Sequence, residues 1–214
     1  MIHSNNLDAY FHLMEKYPKL FTPSDIYPIV TDKKVIEEFI TTTNKPVGIV
    51  YQSNYHLLVV DLIQNVDGGY YTYERVLHTK TGKGVVCIPE YQNKYILLKQ
   101  YRHPIREMQI CFPRGFGENG LTAIQNSAKE LYEEIGAQTE SIELLGEITP
   151  DSGFVASFVD ITLCEVTSFN QDSHEEGVKE ILLCTYNEIE EMIKSGQITD
   201  SFTICAFSLM KKSQ

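Results

Sequence analysis

The stretch GFGENGLTAIQNSAKELYEEIGA, residues 115–137, reads as a glycine-rich loop feeding one amphipathic helix. Ile124, Ala128, Leu131 and Ile135 recur at intervals of 4, 3 and 4 residues, which at about 100° per residue puts them on one face. Glu130, Glu133 and Glu134 are then expected on the opposite face, with Glu130 and Glu134 one turn apart. Thr122 followed three residues later by Gln125 forms a capping box, and Gly136 supplies a left-handed stop. Three carboxylates this close repel one another unless a cation sits among them. Hard oxygen donors with room for water suit Mg²⁺ or Mn²⁺, so Glu130, Glu133 and Glu134 are the expected metal ligands. Gly115, Gly117 and Gly120 in the loop allow backbone to approach a ligand closely.

The 214 residues carry a formal charge of −11 and are 43% hydrophobic, which fits one good core, or a core with an appendage. The negative balance argues against nucleic acid or an anionic membrane as main partner, because binding either needs clustered Lys and Arg. A phosphorylated small molecule is compatible where metal ions neutralise the site. The longest apolar runs, such as HLLVVDLI at 56–63, are short and interrupted by charge, so no membrane span is expected. The opening MIHSNNLDAY lacks the basic and apolar regions of a signal peptide. Cys87, Cys111, Cys164, Cys184 and Cys205 stand singly inside apolar runs, which points to buried thiols and a cytoplasmic location.

Residues 7–20 have helical periodicity, and VIEEFITTT at 35–43 predicts a second helix. From Pro46 the pattern changes to strands at 48–54, 56–65, 70–80, 84–92 and 94–102, with Asp67-Gly68-Gly69 as a hairpin turn. Strands at 142–149, 158–166 and 180–186 follow the 115–137 segment. The chain then closes with a helix from Asn187 to Gly196 and a last one from about Asp200 to Lys212.

The 115–137 segment resembles the Nudix box, Gly-x5-Glu-x7-Arg-Glu-U-x-Glu-Glu-x-Gly-U with U a bulky apolar residue. Gly115, Glu130, Leu131, Glu133, Glu134 and Gly136 fall in register, while Leu121 stands for the first glutamate, Lys129 for the arginine and Ala137 for the last apolar residue. Over about residues 46–210 the chain is similar, more narrowly, to the ADP-ribose pyrophosphatase-like branch. YERV (73–76), LLKQYRHP (97–104), FPRG (112–115), TPDSGF (149–154) and IKSGQITDSFT (193–203) carry that similarity. The branch often has Glu-Leu-Pro-Ala-Gly where this chain has CFPRG, so Cys111 replaces a glutamate and Arg114 an alanine.

The resemblance implies an α+β Nudix fold, an α/β/α sandwich around a mixed sheet, preceded by a small antiparallel β-subdomain. The expected division is a helical appendage at 1–45, the β-subdomain at 46–84 and the Nudix domain at 85–214. It also implies a Mg²⁺-dependent pyrophosphohydrolase, acting as a homodimer on a nucleoside diphosphate linked to another group, most readily ADP-ribose or another nucleotide sugar. In that reading Glu130, Glu133 and Glu134 are catalytic metal ligands and the backbone carbonyl around Arg114 completes the sphere. Arg102 and Arg114 hold phosphate or ribose, and Tyr73 lies against a base. A general base is expected from DSHEEGVKE at 172–180, where Glu176 stands beside the alternatives Glu175 and Glu180. Leu121 and Lys129 support the alternative, a catalytically weak Nudix-like metabolite-binding or sensor module.

Overall fold

The computed structural model describes residues 5–79, 82–170 and 177–210. Two compact units divide it: Met1–Lys80 with Asp151–Ser157, and Thr81–Pro150 with Phe158–Gln214. In the first, helix α1 (Asn5–Lys16) is followed by a 3-10 turn at Pro18–Phe21 and helix α2 (Lys33–Thr43). The helical periodicity predicted to residue 20 thus gives way after Lys16, because Pro18 has no N–H with which to continue the ladder. Asp32 caps α2 by accepting from Lys34 N, and Asn44 ends it in the left-handed conformation at φ 56°.

Strands β1 (Gly48–Gln52), β2 (His56–Gln64) and β3 (Tyr70–His78) form an antiparallel sheet in that order. The predicted turn after β2 closes with Asn65 N donating to Gly69 O at 2.7 Å, while Gly68 takes φ +84°. Leu7, Tyr10 and Leu13 of α1 and Ile36 of α2 share one buried cluster with Val59, Leu62 and Leu77 of the sheet. The helices of the 1–45 segment therefore pack into the core of the small sheet. At its centre Asp61, 2% exposed, accepts from Arg75 Nε at 2.6 Å and from the Tyr10 hydroxyl. A buried carboxylate satisfied by a guanidinium and a phenol holds α1 to β2 and β3.

The second unit is built on a mixed sheet. Strands β4 (Gly84–Tyr91), β5 (Lys94–Arg102), β8 (Gln138–Ile148), β9 (Val159–Ser168) and β10 (Val178–Cys184) take the order β10-β5-β4-β9-β8. β4 and β9 are parallel and the other neighbours antiparallel. Two short strands lie off this path: β6 (Glu107–Cys111) pairs with β5, and β7 (Arg114–Gly115) pairs with β4. Side chains alternate along β4, so Val85 and Cys87 face one way and Val86 and Ile88 the other. The first pair packs with Leu131 and Ile135 of helix α3 (Ala123–Ile135). The second packs with Ile189 of α4 (Tyr186–Lys194) and Ala206 of α5 (Ser201–Leu209). Apolar strands covered on both faces make the expected α/β/α sandwich, preceded in the chain by the small antiparallel sheet.

Helix α4 is capped by Thr185, not Asn187. Thr185 Oγ1 accepts from Glu188 N at 3.3 Å while Glu188 Oε2 accepts from Thr185 N at 2.7 Å, a capping box that fixes the start two residues earlier. Helix α5 ends at Leu209 among the described residues; Lys211 and Lys212 lie outside them. Cys87, Cys111, Cys164 and Cys184 are buried thiols and Cys205 is half-buried. Among the described residues no helix is long and apolar enough to cross a membrane.

Candidate metal and diphosphate site

Helix α3 has both predicted ends. Thr122 Oγ1 accepts from Gln125 N at 3.3 Å, Gln125 Oε1 accepts from Thr122 N at 2.9 Å, and Gly136 turns left-handed at φ 62°. Its faces differ from the expectation in two places. Ile124 is 49% exposed, and Glu134 is buried at 7% beside Leu131 and Ile135. The buried stripe runs through Ser127, Leu131 and Glu134, four and then three residues apart, while Ile124, in the first turn of the helix, stays exposed. Glu134 is buried because it has a partner: its Oε2 accepts from Arg114 N at 3.2 Å.

Glu130 converges on the same short strand. A Cβ on Gly115 would overlap the Glu130 carboxylate, so glycine is required for that side chain to lie against β7. Two carboxylates one helical turn apart are thus aimed at consecutive residues, Glu134 at Arg114 and Glu130 at Gly115. Glu133 turns elsewhere, and accepts from Lys129 Nζ at 2.8 Å. Lys129 also pairs with Glu118 of the loop at 3.3 Å, and both carboxylates, Glu133 first, raise the ammonium's pKa. Among the described residues no three His, Cys, Asp or Glu side chains are arranged to hold a metal as they stand. The donor chemistry nevertheless fits a hard divalent cation, since the Gly115 cradle admits the Glu130 carboxylate beside backbone that Glu134 already reaches.

The glycine loop is fixed by backbone crossings. A Cβ on Gly117 would collide with Lys83 O, and one on Gly82 with Gly117 O, so the two glycine turns lie against each other. Glu118 N donates to Asn126 Oδ1 of α3 at 3.0 Å, tying the loop to the helix. The glycines were expected to let backbone approach a ligand; Gly117 serves an approach of the chain to itself.

Arg114 carries a second role through its side chain. Its Nη1 pairs with Asp200 Oδ1 at 2.8 Å, and its guanidinium stacks on Phe202 at 4.3 Å. Burial pushes its pKa down, against the pull of Asp200. Asp200 also accepts from Thr203 N at 3.0 Å, and Thr203 Oγ1 accepts from Phe112 N at 2.9 Å, so the start of α5 clamps Phe112 and Arg114 on either side of Pro113. Arg102 lies beside this clamp and donates from Nη2 to Cys111 Sγ at 3.1 Å. The Arg106 guanidinium lies over the Tyr101 ring, 5.9 Å from its centroid.

Tyr73 belongs to the first unit, where its hydroxyl donates to Gly153 O at 2.7 Å. Glu175 and Glu176 fall outside the described residues, and Glu180 is exposed on β10 opposite Lys99. Sequence reasoning missed Asp200 and Asn126 as site residues and the pairing of Lys129 with Glu118. Asp200 precedes Ser-Phe-Thr, so its cap was legible, but its pairing with Arg114 spans 86 residues and leaves no local mark.

A NUDIX domain model matches residues 80–202, more than half of the chain. The chain is 26% identical over 157 residues to a methanol dehydrogenase activator of Bacillus methanolicus, covering 72% of this chain and 84% of that protein. It is 23% identical over 123 residues to an ADP-ribose pyrophosphatase of Bacillus subtilis (strain 168), covering 56% of this chain and 66% of the relative. A crystal structure of an ADP compounds hydrolase superposes with a TM-score of 0.66 at 17% identity, covering 77% of this chain and 89% of that one. With the glycine-bounded carboxylate helix over a mixed sheet and the domain match on the same residues, the chain belongs to the Nudix family.

Proposed function

We propose that the protein is a Mg²⁺-dependent pyrophosphohydrolase, cleaving the diphosphate of a nucleoside diphosphate linked to another group, with ADP-ribose or another nucleotide sugar as the first candidates. The observation that carries this reading is the convergence of Glu130 and Glu134 on Arg114 and Gly115. Those two carboxylates, with the carbonyl around Arg114, would hold a divalent ion, Mg²⁺ or Mn²⁺; Glu133 joins them once it leaves Lys129. When bound, the metal neutralises diphosphate oxygens and lowers the pKa of water. The protein's part is to fix the geometry: Glu134 grips the backbone of β7, and Asp200 holds the Arg114 side chain against α5. Arg102 is aimed at a ligand oxygen, and a carboxylate of the 172–180 segment, Glu176 among them, serves as general base. The similarity to an ADP-ribose pyrophosphatase supports this substrate class. We place the protein in the cytoplasm as a homodimer, with neither nucleic acid nor membrane as partner.

One observation favours a second reading, a metabolite-binding or sensor module of weak activity. Glu133 is ion-paired with Lys129 instead of being held open for a metal. A phosphate-release screen with Mg²⁺ and Mn²⁺ over ADP-ribose, other nucleotide sugars, dinucleotides and oxidised nucleotides separates the two. Turnover of a nucleotide sugar supports the hydrolase, and saturable binding with no turnover supports the sensor.

A further inference from the structure

Among the described residues Arg102 is a guanidinium without a resident counterion: it pairs with no carboxylate, Nη2 donates to the Cys111 sulfur, and Nε is shielded from solvent with no acceptor. A thiol is a weak acceptor, whereas a carboxylate meets a guanidinium through its planar fork. Cys111 does not make up the charge by ionising. It donates to Gln100 Oε1 at 4.0 Å, and burial pushes its pKa up more strongly than Arg102 pulls it down. Arg114 differs, because Asp200 neutralises it at 2.8 Å. The cluster of Arg102, Cys111, Arg114 and Asp200 therefore keeps one net positive charge, on Arg102, beside the backbone that Glu130 and Glu134 approach.

We propose that Cys111 sets the charge of the preferred substrate: with a thiol where the related branch often has a carboxylate, Arg102 is completed by the ligand, which carries a phosphomonoester in addition to its diphosphate. This rests on the diphosphate-hydrolase reading and narrows its substrate class. Glu130 and Glu134 would hold the metal that neutralises the diphosphate, which would leave Arg102 to take a further anion. A phosphomonoester brings close to two negative charges near pH 7 and several acceptor oxygens, while a sugar hydroxyl brings none of that charge. Cys111 is on this account a specificity-determining residue acting through Arg102.

The test compares ADP-ribose, ADP-ribose phosphorylated on the adenosine 2′-oxygen, and coenzyme A, whose ADP moiety carries a 3′-phosphate. Initial rates with Mg²⁺ and calorimetric binding are measured on wild type, Cys111→Ser, Cys111→Glu and Arg102→Gln. The wild type is expected to favour one of the two phosphorylated probes by about tenfold in KM or Kd, the scale of one charge-assisted pair. Cys111→Ser keeps the preference, while Cys111→Glu and Arg102→Gln lose it. Equal affinity for all three probes, or a preference that survives in Arg102→Gln, overturns the proposal; Arg102→Gln decides it even if Cys111→Glu does not fold. Selective binding without hydrolysis leaves this inference standing and removes the hydrolase reading. Hydrolysis of ADP-ribose with no preference does the reverse, and neither hydrolysis nor binding removes both.

Discussion

The Glu134 carboxylate accepts from the backbone N–H of Arg114 at 3.2 Å, joining the carboxylate helix to the strand that its neighbour Glu130 also touches. One residue is thus both a bolt in the fold and a candidate metal ligand, and its two roles are separable by substitution. Glu134→Gln keeps an acceptor for Arg114 N and loses the charge, so activity should fall by at least two orders of magnitude with a small change in Tm. Glu134→Leu should also cost about 1–3 kcal/mol of stability, the penalty of a buried amide left without its acceptor. Rates and thermal melts on the two variants check the split.

Gly115 and Gly117 should fail differently when changed to alanine. At Gly115 the added methyl meets the end of the Glu130 side chain, which can swing away, so the fold survives and metal binding is lost. At Gly117 it meets the backbone oxygen of Lys83, which cannot yield without moving the turn, so about 1–3 kcal/mol of stability is lost as well. Mn²⁺ titration followed by electron paramagnetic resonance, alongside denaturant melts, distinguishes the two outcomes.

The Arg114–Asp200 pair is 18% and 5% exposed at its side chains, so breaking it leaves a buried charge. Asp200→Asn strands the guanidinium and should cost about 3–5 kcal/mol. Arg114→Ala leaves Asp200 still accepting from Thr203 N and Oγ1 and should cost less. A double variant close in stability to Asp200→Asn alone would show that the two residues act as a unit; additive losses would show that they do not.

Stability should fall as pH drops through 6.5. Desolvation, and then the neighbouring His56, lowers the pKa of His78 from 6.5. The unfolded chain therefore takes up this proton at a higher pH than the folded chain does. The contribution of His78 is complete above 6.5 and is lost on going from there down towards the folded value. His78→Gln should flatten that part of the profile, measured as denaturation midpoints between pH 7.5 and pH 5; an unchanged slope would exclude His78 as its source.

Helix α3 was legible to the residue at both ends, because its signals are local: a capping box at Thr122 and Gln125, and a glycine at 136. The five strands from β1 to β5 were legible from apolar runs and glycine turns, their ends differing by up to two residues. β6 and β7 were not, since Pro113 separates them and β7 is two residues long, too short to show an alternation. The convergence of Glu130 and Glu134 was anticipated only as a shared helix face; that their common target is the Arg114–Gly115 backbone follows from the pairing of β7 with β4. Glu118, the carboxylate nearest in sequence to Leu121, pairs with Lys129, so the loop is tied to the helix by an ion pair that the family pattern did not contain.

Glu130 and Glu134, proposed to hold the metal for diphosphate cleavage, are tested by following the conversion of ADP-ribose to AMP and ribose 5-phosphate against Mg²⁺ concentration for wild type, Glu130→Gln and Glu134→Gln. Saturable metal-dependent cleavage by the wild type, reduced at least a hundredfold at limiting Mg²⁺ in both variants while their melts stay cooperative, is the predicted result. Cleavage independent of added metal, or either glutamine variant matching wild type at limiting Mg²⁺, would contradict it.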